Sequence, residues 1–369
     1  MTMTPFARFL AAARRQPLDH VAVAGAVTDF YLAPLLGLED APDPWQAKLT
    51  MLERGAELFP ELPLIFVVNP CSRLFPAMFW QIDNRDTYLQ TTWQALPTGR
   101  LDSLQTLAHL TIPDPFDCPL NLLALEEARW FAEHISPELK ERFGYCNGLI
   151  RFEGPFDSLA LNVGTDWFLK MYTEPEFVHR AMELFTEASI VGAKALASVI
   201  GAPQWIILAE DMPGLLRREH FQEFVLPYHR RLFQTFPEAV RLLHNDANTT
   251  HLLDLLPACD MDVFHLGYEV PMELAKEKMG SRVALMGNLA PRQVLWQGDD
   301  EAPSRLTSRN GGRDGASEAT VEAESRRIIE AGKAGGGFIF STGGEVNPGT
   351  APARLNAMVR YAQTYGRYG

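Results

Sequence analysis

The chain reads as an α/β protein, a single (β/α)8 TIM-type barrel with an N-terminal helical extension, and three observations predict it. From residue 121 onward, short apolar runs rich in Ile, Val, Leu and Phe alternate with amphipathic stretches at helical spacing. None of these runs is followed by the GxGxxG of a dinucleotide-binding sheet. Polar residues gather where the runs end: Glu153, Glu210, Asp211, His244, Asp246, His265, Asn288 and Glu345 all stand at C-terminal ends of expected strands, the end at which a barrel builds its site. With 369 residues and 47% hydrophobic content, residues 1–369 are expected to form one decorated barrel domain.

Thr4-Pro5 has the form of a helix start, so residues 5–15 read as a surface helix. His20 to Phe30 fits a first strand or a loop crossing the barrel floor, and so short a run does not separate the two. Trp45 to Leu58 carries Leu49, Leu52 and Ala56 at helical spacing, and Leu64 to Val68 is a continuous apolar strand of the fully buried kind. Residues 71–120 show no clean period. Asn121 to Leu139 reads as a helix broken before Pro137, followed by a strand at Leu149 to Phe152. Thr173-Glu-Pro-Glu176 has the form of a capping box opening a long helix with Phe177, Ala181, Leu184, Phe185, Ala188, Val191 and Ala195 inward.

Trp205 to Ala209 is the next strand, and a helix over 218–236, bent at Pro227, leads to a strand at 240–243. After a helix at 251–256 come the strand 262–265, a helix near 271–279, the strand 283–286 and a short helix at 291–297. Residues 299–317 are polar, glycine-rich and poor in apolar residues, which predicts a solvent-exposed flexible insertion. A helix at 318–332, a last strand at 337–340 and a helix starting at Thr350 close the chain.

A net charge of −13 with no block of Lys or Arg lacks the electrostatic footprint of a nucleic-acid binder. No apolar run approaches the roughly 18 residues of a membrane helix. Arg8, Arg14 and Arg15 precede the first acid, Asp19, but no apolar signal core accompanies them, so Asn248-Thr249-Thr250 carries no weight as a glycosylation sequon. Cys71, Cys118, Cys146 and Cys259 form no CxxC pair, which predicts neither a zinc knuckle nor a disulfide framework and fits a reducing cytoplasm.

The chemistry concentrates at His244-Asn245-Asp246. Two residues apart at an extended strand end, His244 and Asp246 leave from one face and can converge on a metal ion, a water or a substrate atom; the alternative is a buried hydrogen bond for His244 and a helix cap for Asp246. Glu210 and Asp211 are adjacent and so point to opposite sides; Asp211 is the one expected at the mouth, as an orienting or acid/base residue, the alternative being a helix cap before Arg217 to Phe224. Asn288 suits a substrate oxygen, Glu153 is a candidate substrate contact, His265 is either a substrate contact or, as a lone histidine on an apolar stretch more often is, a hydrogen-bonded core residue, and Trp167, Phe168 and Tyr172 are pocket walls or ordinary packing before a helix.

Five motifs in order make residues 150–369 resemble the uroporphyrinogen decarboxylase superfamily, which holds haem-pathway decarboxylases and corrinoid-dependent methyltransferases. They are Glu153-Gly-Pro-Phe156, Glu210-Asp-Met212 with Glu223-Phe-Val-Leu-Pro-Tyr228, His244-Asn-Asp-Ala-Asn-Thr249, Met286-Gly-Asn-Leu-Ala-Pro291, and Gly343-Gly-Glu-Val-Asn-Pro-Gly-Thr350. The decarboxylases carry an RQAGR-like segment for the porphyrin carboxylates, and nothing from Met1 to Leu101 matches it. The methyltransferases carry HxC after the same strand and a further cysteine in a GCxxxP context. His244-Asn245-Asp246 is similar to that HxC with Asp246 in the cysteine's place, and Gly344, beside Glu345, stands where the second cysteine would be.

The resemblance therefore implies a methyltransferase acting between a small methylated substrate and a corrinoid. No DxHxxG motif occurs in the chain, so the corrinoid is expected on a partner protein. A His244, Asp246, Glu345 set can hold zinc or another divalent ion, harder and more Lewis-acidic than a thiolate site and better suited to activating an oxygen than a thiol. Its affinity is expected to fall as pH drops through the histidine pKa, roughly 6.5. Without a metal, His244 would be a general base oriented by Asp246 or Glu345. The alternatives are a carboxy-lyase acting on a porphyrinogen or a smaller acid, and a non-catalytic barrel that binds a small ligand.

Overall fold

The computed structural model describes residues 3–65, 103–164, 166–296 and 316–368, with the backbone alone at Pro119, Leu120, Glu153, Leu161 and Asn162. The expectations for 66–102, and for the insertion up to residue 315, lie outside the described residues. Two compact units arise: Met1–Asn69 with Ile135–Tyr145 and Val263–Gly369, and Pro70–His134 with Cys146–Asp262.

Local chemistry explains most element starts. Helix α1 (Pro5–Ala13) begins where the Thr4 hydroxyl accepts from the Ala7 N–H at 3.2 Å and Pro5 occupies the first turn, where no N–H is needed. The open stretch after it holds the two-residue strand β1 (Ala22–Val23) and then α2 (Asp29–Leu36), a helix with Pro34 inside that no periodicity announced. Helix α3 (Pro44–Leu58) is capped by Asp43 on the Gln46 N–H. Of the strand expected at Leu64 to Val68, the described part pairs in parallel through Leu64 with Gly25.

Ser103 caps α4 (Leu104–Ala108). Helices α5 (Pro119–His134) and α6 (Pro137–Phe143) divide where Pro137 was expected to break them, with Ser136 capping the second. After β2 (Leu149–Glu153) come two short helices that sequence reading left unassigned, α7 (Pro155–Val163) and α8 (Asp166–Thr173). The long helix α9 (Pro175–Ile200) is present with its apolar stripe buried, but its expected capping box is not. Thr173 ends α8 and donates its hydroxyl to the Leu169 carbonyl at 3.3 Å, so it is not free to cap α9.

Strand β3 (Trp205–Ala209) matches its expectation. Pro227 cannot donate to the carbonyl four residues back, and the expected bent helix is two helices, α10 (Arg218–Phe224) and α11 (Leu226–Phe233). Strand β4 (Val240–Asn245) runs two residues further than expected and so includes His244. The helix expected at 251–256 is two 3-10 turns, Thr250–Leu252 and Leu256–Cys259. Then follow β5 (Val263–Leu266), α12 (Met272–Met279), β6 (Ala284–Leu289), a π-helical turn at Pro291–Leu295, α13 (Glu318–Lys333), β7 (Phe338–Thr342) and α14 (Pro352–Tyr365). Ala316 and Ser317, the end of the expected insertion, belong with α13: Ser317 caps it and the Ala316 carbonyl accepts from Arg354.

In one unit β2, β3 and β4 lie side by side in parallel; in the other the parallel order is β5, β6, β7, β1. Every residue of β3, β5, β6 and β7 is buried, the condition of a parallel sheet covered on both faces, and the reason these strands read as unbroken apolar runs. Cys118, Cys146 and Cys259 are buried. Among the described residues no helix is long and apolar enough to cross a membrane.

Candidate metal centre

The register of the three-stranded unit brings the site together. Glu153, Ala209 and His244 are aligned across β2, β3 and β4, and Arg151, Ile207 and Leu242 are aligned one pleat earlier on the same face. Asp211 and Asp246 come two residues after Ala209 and His244, so both continue that face beyond the strand ends. Asp157, in the first turn of α7, accepts the Asp211 N–H on Oδ2 at 2.7 Å and the Met212 N–H on Oδ1 at 2.9 Å. Asp211 Oδ1 in turn accepts the Asp246 N–H at 2.9 Å, and Asn245 Nδ2 donates to the Glu210 and Asp211 carbonyls at 2.7 and 3.2 Å. At Gly214 an added Cβ would lie 2.7 Å from that of Ala247, so only glycine lets the two loops approach this closely.

Asp211, His244 and Asp246 each offer a ligand atom, and these atoms lie within 4.8 Å of one another. His244 Nε2 is 3.9 Å from Asp211 Oδ1, with the two side chains 9% and 46% exposed. Burial holds the His244 imidazole down to about 4; Asp246 pulls the other way and Arg151 adds to the depression. The same burial lifts the Asp246 carboxyl above its usual value, with Asp211 repelling it further. Asp211 is raised by burial too, against the hydrogen bond from the Asp246 N–H, and the partial exposure of both carboxylates softens the effect.

This environment fits a divalent cation. An imidazole that keeps its lone pair and two carboxylates that disfavour each other's charge gain together when a positive ion enters, and one nitrogen with two oxygens is a donor set that zinc accepts. The third member is Asp211; Glu345, the ligand expected from sequence, is not in the group. Glu345 is an exposed residue of the loop after β7, in the other unit.

Glu210 turns to the opposite side from Asp211 and is 1% exposed. Asn288, 4% exposed, spends its amide on the Gly267 and Val270 carbonyls at 3.1 and 2.6 Å, which ties it to the loop after β5 instead of to a substrate oxygen. His265 has no exposed surface, and its Nε2 pairs with the Thr342 carbonyl at 2.7 Å, a core position that a substrate does not reach. Glu153 is placed by its backbone alone. Trp167 is fully buried and Tyr172 is 59% exposed, so packing accounts for the first and the outer surface for the second. Sequence reasoning missed Arg151 and Asp157. A charge inside the apolar run Leu149 to Phe152 was the signal available for Arg151; Asp157 looked like any acid in a first helical turn.

The family model for uroporphyrinogen decarboxylase (URO-D) matches residues 151–365. A uroporphyrinogen decarboxylase of Saccharopolyspora erythraea is 29% identical over 202 residues, 51% of this chain and 49% of that protein. A methylcobamide:CoM methyltransferase of Methanosarcina mazei is 26% identical over 215 residues, 58% of this chain and 56% of that protein. The chain thus spans about half the length of the curated relatives it matches. Among solved structures, a methyltransferase from Methanosarcina mazei superposes with a TM-score of 0.72 over 99% of both chains at 18% identity, a likeness that shows the fold, the α/β barrel class.

Proposed function

Because the chain belongs to the uroporphyrinogen decarboxylase family, we propose that it is a cytoplasmic methyltransferase of that family, moving a methyl group between a small oxygen-bearing substrate and a corrinoid held by a partner protein. The observation that carries this reading is the Asp211, His244, Asp246 group at the strand ends, where HxC would stand in a thiol-activating relative. These three residues would hold a divalent ion, which when bound supplies Lewis acidity to a substrate oxygen. The chain's own residues do the rest. His244 presents a lone pair that stays free of protons well below neutral pH. The Asp211 and Asp246 carboxyls bond to each other, and Asp211 Oδ1 also accepts the Asp246 N–H, so the pair can hold one proton between them and pass it to the oxygen that loses its methyl group. Arg151 acts electrostatically on both Asp211 and His244, and so is placed to steady the oxyanion left when an O–CH3 bond breaks.

Arg151 also favours a second reading, decarboxylation of an acid, since a guanidinium at the same centre can seat a substrate carboxylate. The two separate in one set of assays on the purified protein: metal analysis, methylation of free cob(I)alamin by a panel of methoxy and methylthio compounds followed by absorbance, and turnover of uroporphyrinogen. A stoichiometric ion lost in His244→Ala, with methylation by methoxy compounds, supports methyl transfer. Porphyrinogen turnover with no cob(I)alamin methylation replaces it with the lyase, and inactivity in both with no ion leaves a ligand-binding barrel.

A further inference from the structure

Behind the centre lies a buried pair that the proposed chemistry does not use. Glu210 and His229 have side chains 0% and 1% exposed and bond to each other through Oε2 and Nε2. Glu210 Oε1 accepts the Phe156 N–H at 2.5 Å and the Asp157 N–H at 3.1 Å, the first free amides of α7. The other ring nitrogen, His229 Nδ1, is buried with no hydrogen-bond partner among the described residues. His229 donates from Nε2, so the Glu210 carboxylate receives three donors. Gly154 makes room for this: a Cβ there would stand 2.2 Å from the Glu210 carboxyl carbon.

We propose that Glu210, held by His229, is the positioning residue of the metal centre, acting on Asp211 through Asp157. The connection is continuous. Glu210 fixes the amide of Asp157 and the first turn of α7; the Asp157 carboxylate then holds the Asp211 and Met212 amides; Asp211 Oδ1 holds the Asp246 amide. Two of the three ligands are therefore set by one buried carboxylate that never touches the ion. Neighbouring Glu210 and Asp211 divide the labour by facing opposite sides of the strand end, one gripping the helix layer and the other facing the site.

The proposal rests on reading the centre as a cation site, and its test keeps the two apart. Co2+ is titrated into metal-free wild type, Glu210→Gln, His229→Gln and Asp157→Asn, with visible absorption reporting the ligand geometry. Amide hydrogen exchange at Asp211, Met212 and Asp246 is followed in the same metal-free proteins. Glu210→Gln sets an amide donor against backbone N–H groups, and should weaken Co2+ binding about tenfold or more and alter its spectrum, the size expected when the support of a ligand is lost. It should also speed exchange at those three amides while the amides of Ile207 and Leu208 within β3 keep their protection. Asp157→Asn, which leaves the Glu210 and His229 pair intact, should reproduce both effects if Glu210→Gln fails to fold. Unchanged affinity, spectrum and local exchange in a folded variant overturns the proposal. If wild type binds no Co2+, the cation reading falls, and the exchange pattern alone decides the positioning role.

Discussion

A proton should compete poorly for His244. Burial takes the ring to about 4 in the folded protein, against roughly 6.5 for an unperturbed imidazole. An ordinary histidine ligand would cost about 25-fold in metal affinity between roughly pH 7 and 5, while a ring titrating near 4 costs less than about twofold over the same interval. The loss of affinity on acidification should therefore come from the raised carboxylates of Asp246 and Asp211, and not from a step near 6.5, which corrects the expectation drawn from sequence. Stability carries the same signature. The folded value lies below the unfolded one, so His244 contributes stability that is present above roughly 6.5 and is lost as pH falls toward 4, about 3 kcal/mol across that window at 1.36 kcal/mol per pH unit. With its side chain only 9% exposed, little of this is screened. Asp211 and Asp246 act in the opposite sense, because protonation relieves their burial, so the comparison of wild type with His244→Gln isolates the ring. The assay is a carbon-detected NMR titration of the labelled His244 ring in metal-free protein, together with urea unfolding at a series of pH values. A ring midpoint near 6.5, or wild-type and His244→Gln stabilities that run parallel from roughly pH 6.5 to 4.5, would refute the burial argument.

Asp211→Asn should weaken Co2+ binding by on the order of a hundredfold through loss of a ligand charge, while Glu345→Gln leaves it within about twofold; calorimetric titration separates them, and equal losses would return Glu345 to the ligand set. Arg354, 3% exposed, donates to the Val294, Leu295 and Ala316 carbonyls at 3.0, 3.1 and 2.6 Å, so it fastens the chain on both sides of residues 297–315. Arg354→Ala should cost about 3 kcal/mol in urea unfolding, since three carbonyls lose a charged donor, and a loss below about 0.5 kcal/mol would mean that water replaces it freely. Gly154→Ala drives a methyl group into the Glu210 carboxyl and should lower the melting temperature and the Co2+ affinity together; thermal scans and titration that match wild type would show that the turn yields without moving Glu210.

What this sequence determined by itself was local. Thr4, Asp43, Ser136 and Ser317 each place an oxygen where the first amides of a helix need it, a demand met within three residues; the start at Thr4 was read on that ground, while Ser317 was assigned to the insertion before it. The pleat of a strand is equally local: it separates Glu210 from Asp211 and puts His244 and Asp246 on one face without reference to any neighbour. Thr173 shows the limit, because its hydroxyl had two nearby carbonyl and amide claims, and the helix behind it took it. The identity of the third acidic group was decided elsewhere. Asp211 reaches His244 because β3 and β4 pair with Ala209 beside His244, and Arg151 reaches both because β2 pairs with β3 in the matching register. Register is set by the packing of whole strands against their covering helices, a sum over contacts distant in sequence, and so the resemblance pointed to Glu345, beside the place of a second cysteine, while the fold brought Asp211.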